Sequence, residues 1–350
     1  MRNILKYKFF ITITCILTSM VVIPASLYAI ENQETLEHEI GVYYTIQKGD
    51  TLWDISKKYF NSPWVWPELW KENKYIKNPH FIEPGGMLRL FYNKESDLII
   101  DEEQKPEESK TAQQSEKPFG KDILYFNYPP IDSVGFIKKE AVLPSCSIFK
   151  VMDNKVAISE GDLIYIKREN DNSLTPGTKY TVYRTFEPLT DSKSGALIGK
   201  QHYITGIVEI KTVEPLYAIA QVLISFREIA INDLLMPYEP RSPKIPIIES
   251  NKEIECSIII PEEEIKLIGD NTIVFINKGE KDGVKPGQFY HIYYREKKNI
   301  SPDSLVMSYL APVDFGKLFV LFSEQTTSSA LITKSDKEIF TDAIVKSPAK

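Results

Sequence analysis

Residues 44–90 read YTIQKGDTLWDISKKYFNSPWVWPELWKENKYIKNPHFIEPGGMLRL, and the order of breaks in this stretch decides the local fold. Val42–Gln47 alternates with β-branched and aromatic residues, the pattern of a short strand. Gly49-Asp50-Thr51 interrupts it. Thr51 followed three residues on by Asp54 is close to a capping box, which predicts a helix start. Leu52, Ile55 and Tyr59 then fall at helical spacing and set one apolar stripe on the core side. A second helix is predicted from Pro67, because proline lacks the N–H that the first helical position would leave unpaired. Leu69, Trp70 and Asn73 carry it forward. Pro79, Pro84, Gly85 and Gly86 mark turns, and Met87–Phe91 reads as a closing strand. The predicted order is strand, helix, helix, strand.

That order, together with Gly49-Asp50-Thr51-Leu52, Ile55, Asn73, Ile76, Asn78, Pro79, Ile82, Pro84 and Gly85, resembles a LysM domain. The resemblance covers residues 42–91 and implies a βααβ module that binds N-acetylglucosamine-containing glycan, most often peptidoglycan. It implies a shallow groove between two loops, here Gly49–Leu52 and Asn78–Ile82. The glycan-binding candidates are therefore Gly49, Asp50, Thr51, Leu52, Asn78, Pro79, His80 and Ile82. Backbone amides and carbonyls would bond the N-acetyl group while small or apolar side chains pack the sugar face. One departure from the family is Asn61–Trp66, a longer, tryptophan-rich connection between the helices. This WP-x-LW-x-x-N…NPH-x-I-x-PG version is similar to that of exported bacterial proteins with one such module near the N-terminus. Most of the four tryptophans, Trp53, Trp64, Trp66 and Trp70, are expected in the core of so small a domain. Trp64 is the candidate for stacking on sugar at the surface.

Arg2, Lys6 and Lys8 precede an uncharged, mostly apolar run, Phe9–Ala29. Residues 1–29 read as a secretory signal peptide, so the protein is expected to be exported, periplasmic and cell-wall associated. If left uncleaved, residues 9–29 would instead anchor it in the inner membrane; a membrane is otherwise not an expected partner. The net charge is −6, and no basic patch is interleaved with aromatics, which argues against nucleic acid as a partner. Beyond the leader the cysteines are Cys146 and Cys256. They read either as two buried small apolar residues or as one disulfide formed in an oxidising compartment.

Residues 92–118 form a linker. Its charged part, DEEQKPEESKTAQQSEKP over Asp101–Pro118, cannot bury enough apolar surface to order itself. Stretched, that part would reach about 60 Å, so the module is expected to act at a distance from the rest. The remainder carries an internal match at one offset. Pro176-Gly177 pairs with Pro286-Gly287 across 110 residues, and so do Cys146-Ser147-Ile148 with Cys256-Ser257-Ile258 and Gly206 with Gly316. A single offset held over roughly ninety residues predicts a duplication. Each copy alternates in short runs between Gly, Pro, Asn and Asp turns, which predicts a small β-barrel or sandwich. The expected organisation is a repeat over 119–236, a stiff proline-rich hinge over 237–250 and a second repeat over 251–350. The fold class is α+β overall.

No HExxH, GxSxG or P-loop pattern is present. His38, His80, His202 and His291 are too scattered to set a metal site, and no cofactor is expected. Ser145-Cys146-Ser147 with downstream His202 is a faint match to wall-degrading cysteine peptidases. However, the run after Cys146 is β-like rather than the helix that lowers a thiol's pKa. The expectation is a non-enzymatic protein that holds glycan through the module and presents the β region as a scaffold or as a surface for an envelope protein. A wall hydrolase with an unrecognised catalytic domain, and a scaffold whose LysM does not bind glycan, are the competing readings.

Overall fold

A computed structural model describes residues 39–90, 124–168 except 154 and 156, 174–299 except 251 and 266, and 307–348. The expected leader 1–29 and linker 92–118 lie outside the described residues. The first unit is β1 (Gly41–Thr45), α1 (Leu52–Phe60), a short 3₁₀ turn (Pro63–Val65), α2 (Trp66–Glu72) and β2 (Met87–Leu90). β1 and β2 pair antiparallel, Val42 opposite Leu90. α1 starts where the cap predicts, with Thr51 Oγ1 accepting from Asp54 N at 3.1 Å. It stops at Asn61, whose left-handed backbone (φ +51°) asparagine adopts more readily than most residues. Leu52, Ile55, Tyr59 and Leu69 of the helices cover Val42, Tyr44, Leu88 and Leu90 of the strands, forming one core.

From residue 124 on, the described chain is β-rich. β3 (Leu124–Asn127) and β4 (Phe136–Lys138) lead into β5 (Cys146–Val151), β6 (Leu163–Arg168), β7 (Lys179–Thr185), β8 (Leu189–Thr190), β9 (Leu197–Val213), β10 (Ala218–Ser225) and β11 (Leu234–Pro237). Six of these pair in the order β10-β6-β5-β11-β7-β9, and β9 also pairs with β10, so the strands close into a barrel. β12 (Lys244–Pro246) follows. Then come β13 (Glu255–Pro261), β14 (Ile273–Ile276), β15 (Phe289–Tyr294), β16 (Lys297–Asn299), β17 (Met307–Tyr309), β18 (Val313–Ser323), β19 (Ser328–Ser335) and β20 (Ile344–Lys346). These close a second barrel, β13-β14-β19-β18-β15-β20, with β16 and β17 as a separate hairpin.

Each barrel has a bulge where its long strand meets its neighbour, at Val182/Tyr183 and at Ile292/Tyr293. Beside these lie Gly206 and Gly316. A Cβ there would come within 2.6 Å of Ile224 O and 2.8 Å of Lys334 O, so only glycine lets the strands approach this closely. An isolated bridge joins Ile158 to Ile229 in the first barrel and Ile268 to Ile339 in the second.

The first unit's sheet does not end with its own two strands. β3 pairs with the other edge of β1, Val42 opposite Phe126, and β12 pairs outside β3, giving the order β12-β3-β1-β2. Along β18, Leu318 and Val320 fill the second barrel while Phe319 and Leu321 point outward, as strand alternation requires. Phe126 stacks on Phe319 at 4.4 Å, Phe319 meets Phe289 at 4.7 Å, and Ile273 and Leu331 complete the contact. The module's core therefore runs on into the outer wall of the second barrel. This corrects the expectation of a module acting at a distance: the chain leaves it at β2 and re-enters the same sheet at β3. Burial of Phe126 and Phe319 drives that docking.

The expected hinge is also pinned. Tyr238 Oη and Arg241 N both donate to the Asp132 carboxylate, at 2.6 and 3.0 Å, and the Arg241 guanidinium lies 4.2 Å from the Phe322 ring. Between the barrels, Arg227 pairs with Glu262 at 3.0 Å and Glu263 at 2.7 Å. It also donates to Ser133 O and Ile204 O, both at 2.7 Å. Cys146 and Cys256 are buried in separate barrel cores and not joined to each other, which corrects the disulfide reading: each thiol is walled in by its own barrel.

Candidate functional site

The first loop is built around Asp50. Its Oδ2 accepts from Tyr44 Oη at 2.6 Å and from Gln47 N at 2.7 Å, which closes the turn that Gly49 enters with φ +97°. Burial, with Asp50 next, raises the Tyr44 phenol well above its usual pKa, so it stays a hydrogen-bond donor. Thr51 is exposed, and its hydroxyl both caps α1 and donates to Asp54 Oδ2 at 2.7 Å. Leu52 is 2% exposed and belongs to the core, so it can offer a ligand only its backbone.

The second loop is braced in the same way. Asn78 Oδ1 accepts from His80 N at 3.0 Å and Asn78 O accepts from Phe81 N at 3.0 Å, an Asx turn. Asn78 and His80 are exposed, Pro79 is half-buried, and Ile82 packs against the core. The loop's exit is stitched to the strand entering the first loop: Ile46 N donates to Gly86 O at 2.9 Å and Gly85 N to Ile46 O at 2.8 Å. Behind both, Asn73 is buried. Its amide donates to Leu69 O and Arg89 O and accepts from Arg89 N at 2.8 Å, so one side chain ties α2 to β2. Trp70 Nε1 donates to Ile76 O at 2.6 Å, and Tyr75 Oη donates to Met87 O.

The Thr51 cap follows the sequence pattern, whereas the side-chain hydrogen bonds that Asp50 and Asn78 make to their own turns carry no signal in the sequence. What the loops present outward is mainly backbone and the faces of Gly49, Thr51, Asn78 and His80.

The tryptophans divide differently from expectation. Trp66 and Trp70 pack against the core, stacked at 6.5 Å. Trp64 is 75% exposed, as expected. Trp53, expected in the core, is 39% exposed and meets Trp64 edge-to-face, centroids 4.8 Å apart at 76°. One position past Leu52, it falls off the buried stripe of α1. Trp66 lies 6.2 Å from the His80 ring, so the connection between the helices reaches both loops.

Elsewhere, His202 is buried against Phe136 at 4.6 Å, in a cluster apart from Cys146. Its Nε2 accepts from Val142 N at 3.0 Å, which places the ring proton on Nδ1, 3.1 Å from Lys200 O. Burial pulls its pKa down to about 4. Among the described residues no cluster of His, Cys, Asp and Glu is arranged to hold a metal ion. Among them, too, no helix is long and apolar enough to cross a membrane.

The LysM domain model matches residues 44–91. The chain is also 39% identical over 57 residues to Uncharacterized protein YqbP of Bacillus subtilis (strain 168). That similarity covers 13% of this chain and 26% of the Bacillus protein, and it lies in the same region. LysM domains are generally peptidoglycan- or N-acetylglucosamine-binding and occur in cell-wall and envelope proteins. Residues 44–91 of this chain are a LysM domain.

Proposed function

We propose that this is an exported, non-catalytic wall-binding protein whose LysM loops, 49–52 and 78–82, hold an N-acetylglucosamine-containing glycan such as peptidoglycan. The observation that carries this reading is the bracing of both loops by their own side chains, through Asp50, Thr51 and Asn78, while Gly49, Thr51, Asn78 and His80 remain exposed. A site held in its binding shape loses little entropy on capture. The backbone groups it presents suit an acetamido group. Residues 1–29 would direct export.

The two barrels are read as copies of one unit. The bridges Ile158–Ile229 and Ile268–Ile339 fall 110 residues apart, as do Gly206 and Gly316. Their role would be to scaffold the module and offer a surface to another envelope protein. The non-catalytic reading is supported by the separation of Cys146 from His202 and by the engagement of both imidazole nitrogens.

The test is co-sedimentation with purified peptidoglycan sacculi. The chain from residue 30 onward should pellet, and Asn78→Ala, which opens the second loop's turn, should shift it to the supernatant. A wild-type chain that stays in the supernatant ends the glycan reading. Dye-labelled sacculi should release no dye; release that Cys146→Ala abolishes would favour a hydrolase instead.

A further inference from the structure

We infer that Trp53 and Trp64 form a second carbohydrate-contact surface that lengthens the glycan site beyond the two loops; this rests on the glycan reading above. The module is small, with a core that depends on every large side chain it can enclose. Yet two of its four indoles stand outside, 39% and 75% exposed, and touch each other. They are not loose. Trp53 is fixed on α1, and Trp64 sits in the 3₁₀ turn that Pro63 opens, with Val65 N bonded to Ser62 O. At 76° the two rings make a corner rather than a flat patch.

The corner is continuous with the first loop. Trp53 directly follows Leu52, the last residue of that loop, and α1 is capped by Thr51 from within it. On the second loop's side, Trp66 of the same tryptophan-rich connection lies beside His80. A glycan is a polymer, so a chain seated in the groove must continue past one of its ends. Where it passes the first loop it meets these rings.

Size and chemistry select the occupant. An aromatic side chain buries about 150–250 Å². Two of them fall well short of the roughly 800 Å² per partner of a stable protein interface. A pyranose, by contrast, has an apolar C–H face matched to an indole and hydroxyls at its rim. Asp54 and Lys57, next to and one turn along α1 from Trp53, are exposed and offer polar groups on the same helix.

The test compares chitobiose with chitohexaose as probes, using the chain from residue 30 onward and intrinsic fluorescence. All four tryptophans lie between residues 53 and 70, so the signal reports only on this module. The wild-type chain should bind chitohexaose more tightly than chitobiose. Trp64→Ala and Trp53→Ala should each weaken chitohexaose about ten-fold, the scale of one lost aromatic contact, and leave chitobiose nearly unchanged. Trp64→Phe should restore most of the loss. If both alanine variants keep the wild-type ratio of the two affinities, the extended surface is wrong while the groove stands. Equal losses for both sugars would make the indoles supports of the fold and overturn the inference. If the wild-type chain binds neither sugar, groove and extension fall together.

Discussion

The outer walls of the two barrels differ where their strands coincide. Ile273, Phe289, Phe319, Leu321 and Leu331 of the second barrel receive the LysM sheet. The residues 110 positions earlier are Leu163, Lys179, Glu209, Lys211 and Gln221. The pairings match as well: Lys179 lies opposite Glu209 as Phe289 lies opposite Phe319, and Glu209 opposite Gln221 as Phe319 opposite Leu331. On the first barrel this wall is polar and partly exposed, with Lys211 and Glu209 paired at 2.6 Å. The alternate positions, Val208 and Ile210 or Leu318 and Val320, fill an interior in both. A strand's two faces can thus be set separately. One face closes the barrel; the other decides whether a neighbour docks. Seating the module on the first barrel would strip charged groups of water without offering partners.

The comparison is broken most directly by giving the second barrel the first barrel's residue. Phe319→Glu should cost more than the 3–5 kcal/mol typical of removing a buried phenylalanine, because it adds a charge beneath Phe126. The readout is urea unfolding followed by tryptophan emission, which reports on the module, and by far-UV circular dichroism, which reports mainly on the barrels. The two transitions should separate in the variant; coincident transitions of unchanged midpoint would show that Phe319 does not hold the module.

Next in size is the seam between the barrels. Arg227→Met leaves the Glu262 carboxylate buried and unpaired, with burial already pushing its pKa up against the pull of Arg227. A loss of about 3–5 kcal/mol is expected. Adding Glu262→Leu should recover much of it, and a double variant no better than the single one would argue against the pair as the cause.

A smaller effect is tied to the first barrel alone. His202 is neutral in the fold down to pH about 4, whereas the unfolded chain takes up the proton near pH 6.5. Its folded pKa is lowered, so the unfolded state binds more protons between those values and stability falls as pH drops through that window. The loss is at most about 3 kcal/mol. His202→Gln should flatten the pH dependence of the urea midpoint between pH 7 and 4.5; an unchanged slope would place the acid sensitivity elsewhere. The smallest effect belongs to the polar first-barrel wall, where Glu209→Ala should leave the melting temperature unchanged within error.

Much of this was legible in the sequence. The cap at Thr51, the stripe Leu52–Ile55–Tyr59 and the loop glycines are local signals that carry the βααβ order, while the two groove loops follow from the resemblance to LysM. Trp53 departs from the expectation for a large aromatic because position outweighs residue type: one step past Leu52 turns a side chain about 100° around a helix, off the buried stripe. The partnership of β3 with β1 was not legible, since four residues, Leu124–Asn127, carry no local mark of a strand partner some eighty positions away. The docking wall does leave a mark in the sequence. Lining Lys179 up with Phe289 and Glu209 with Phe319 exposes an apolar patch that closing the barrel does not require.

The position of β1 between β2 and β3 has a consequence for proteolysis. Whatever path residues 91–123 take, both of their ends are secured in one sheet. A cut within the charged stretch 101–118 would divide the covalent chain and leave the complex whole, joined by the β1–β3 ladder and by the core that Val42, Tyr44 and Leu90 share with Phe126 and Ile131. Limited proteolysis there should yield two fragments that co-elute on gel filtration and part only in denaturant. The union of the module with the barrels would then outlast the peptide bond between them.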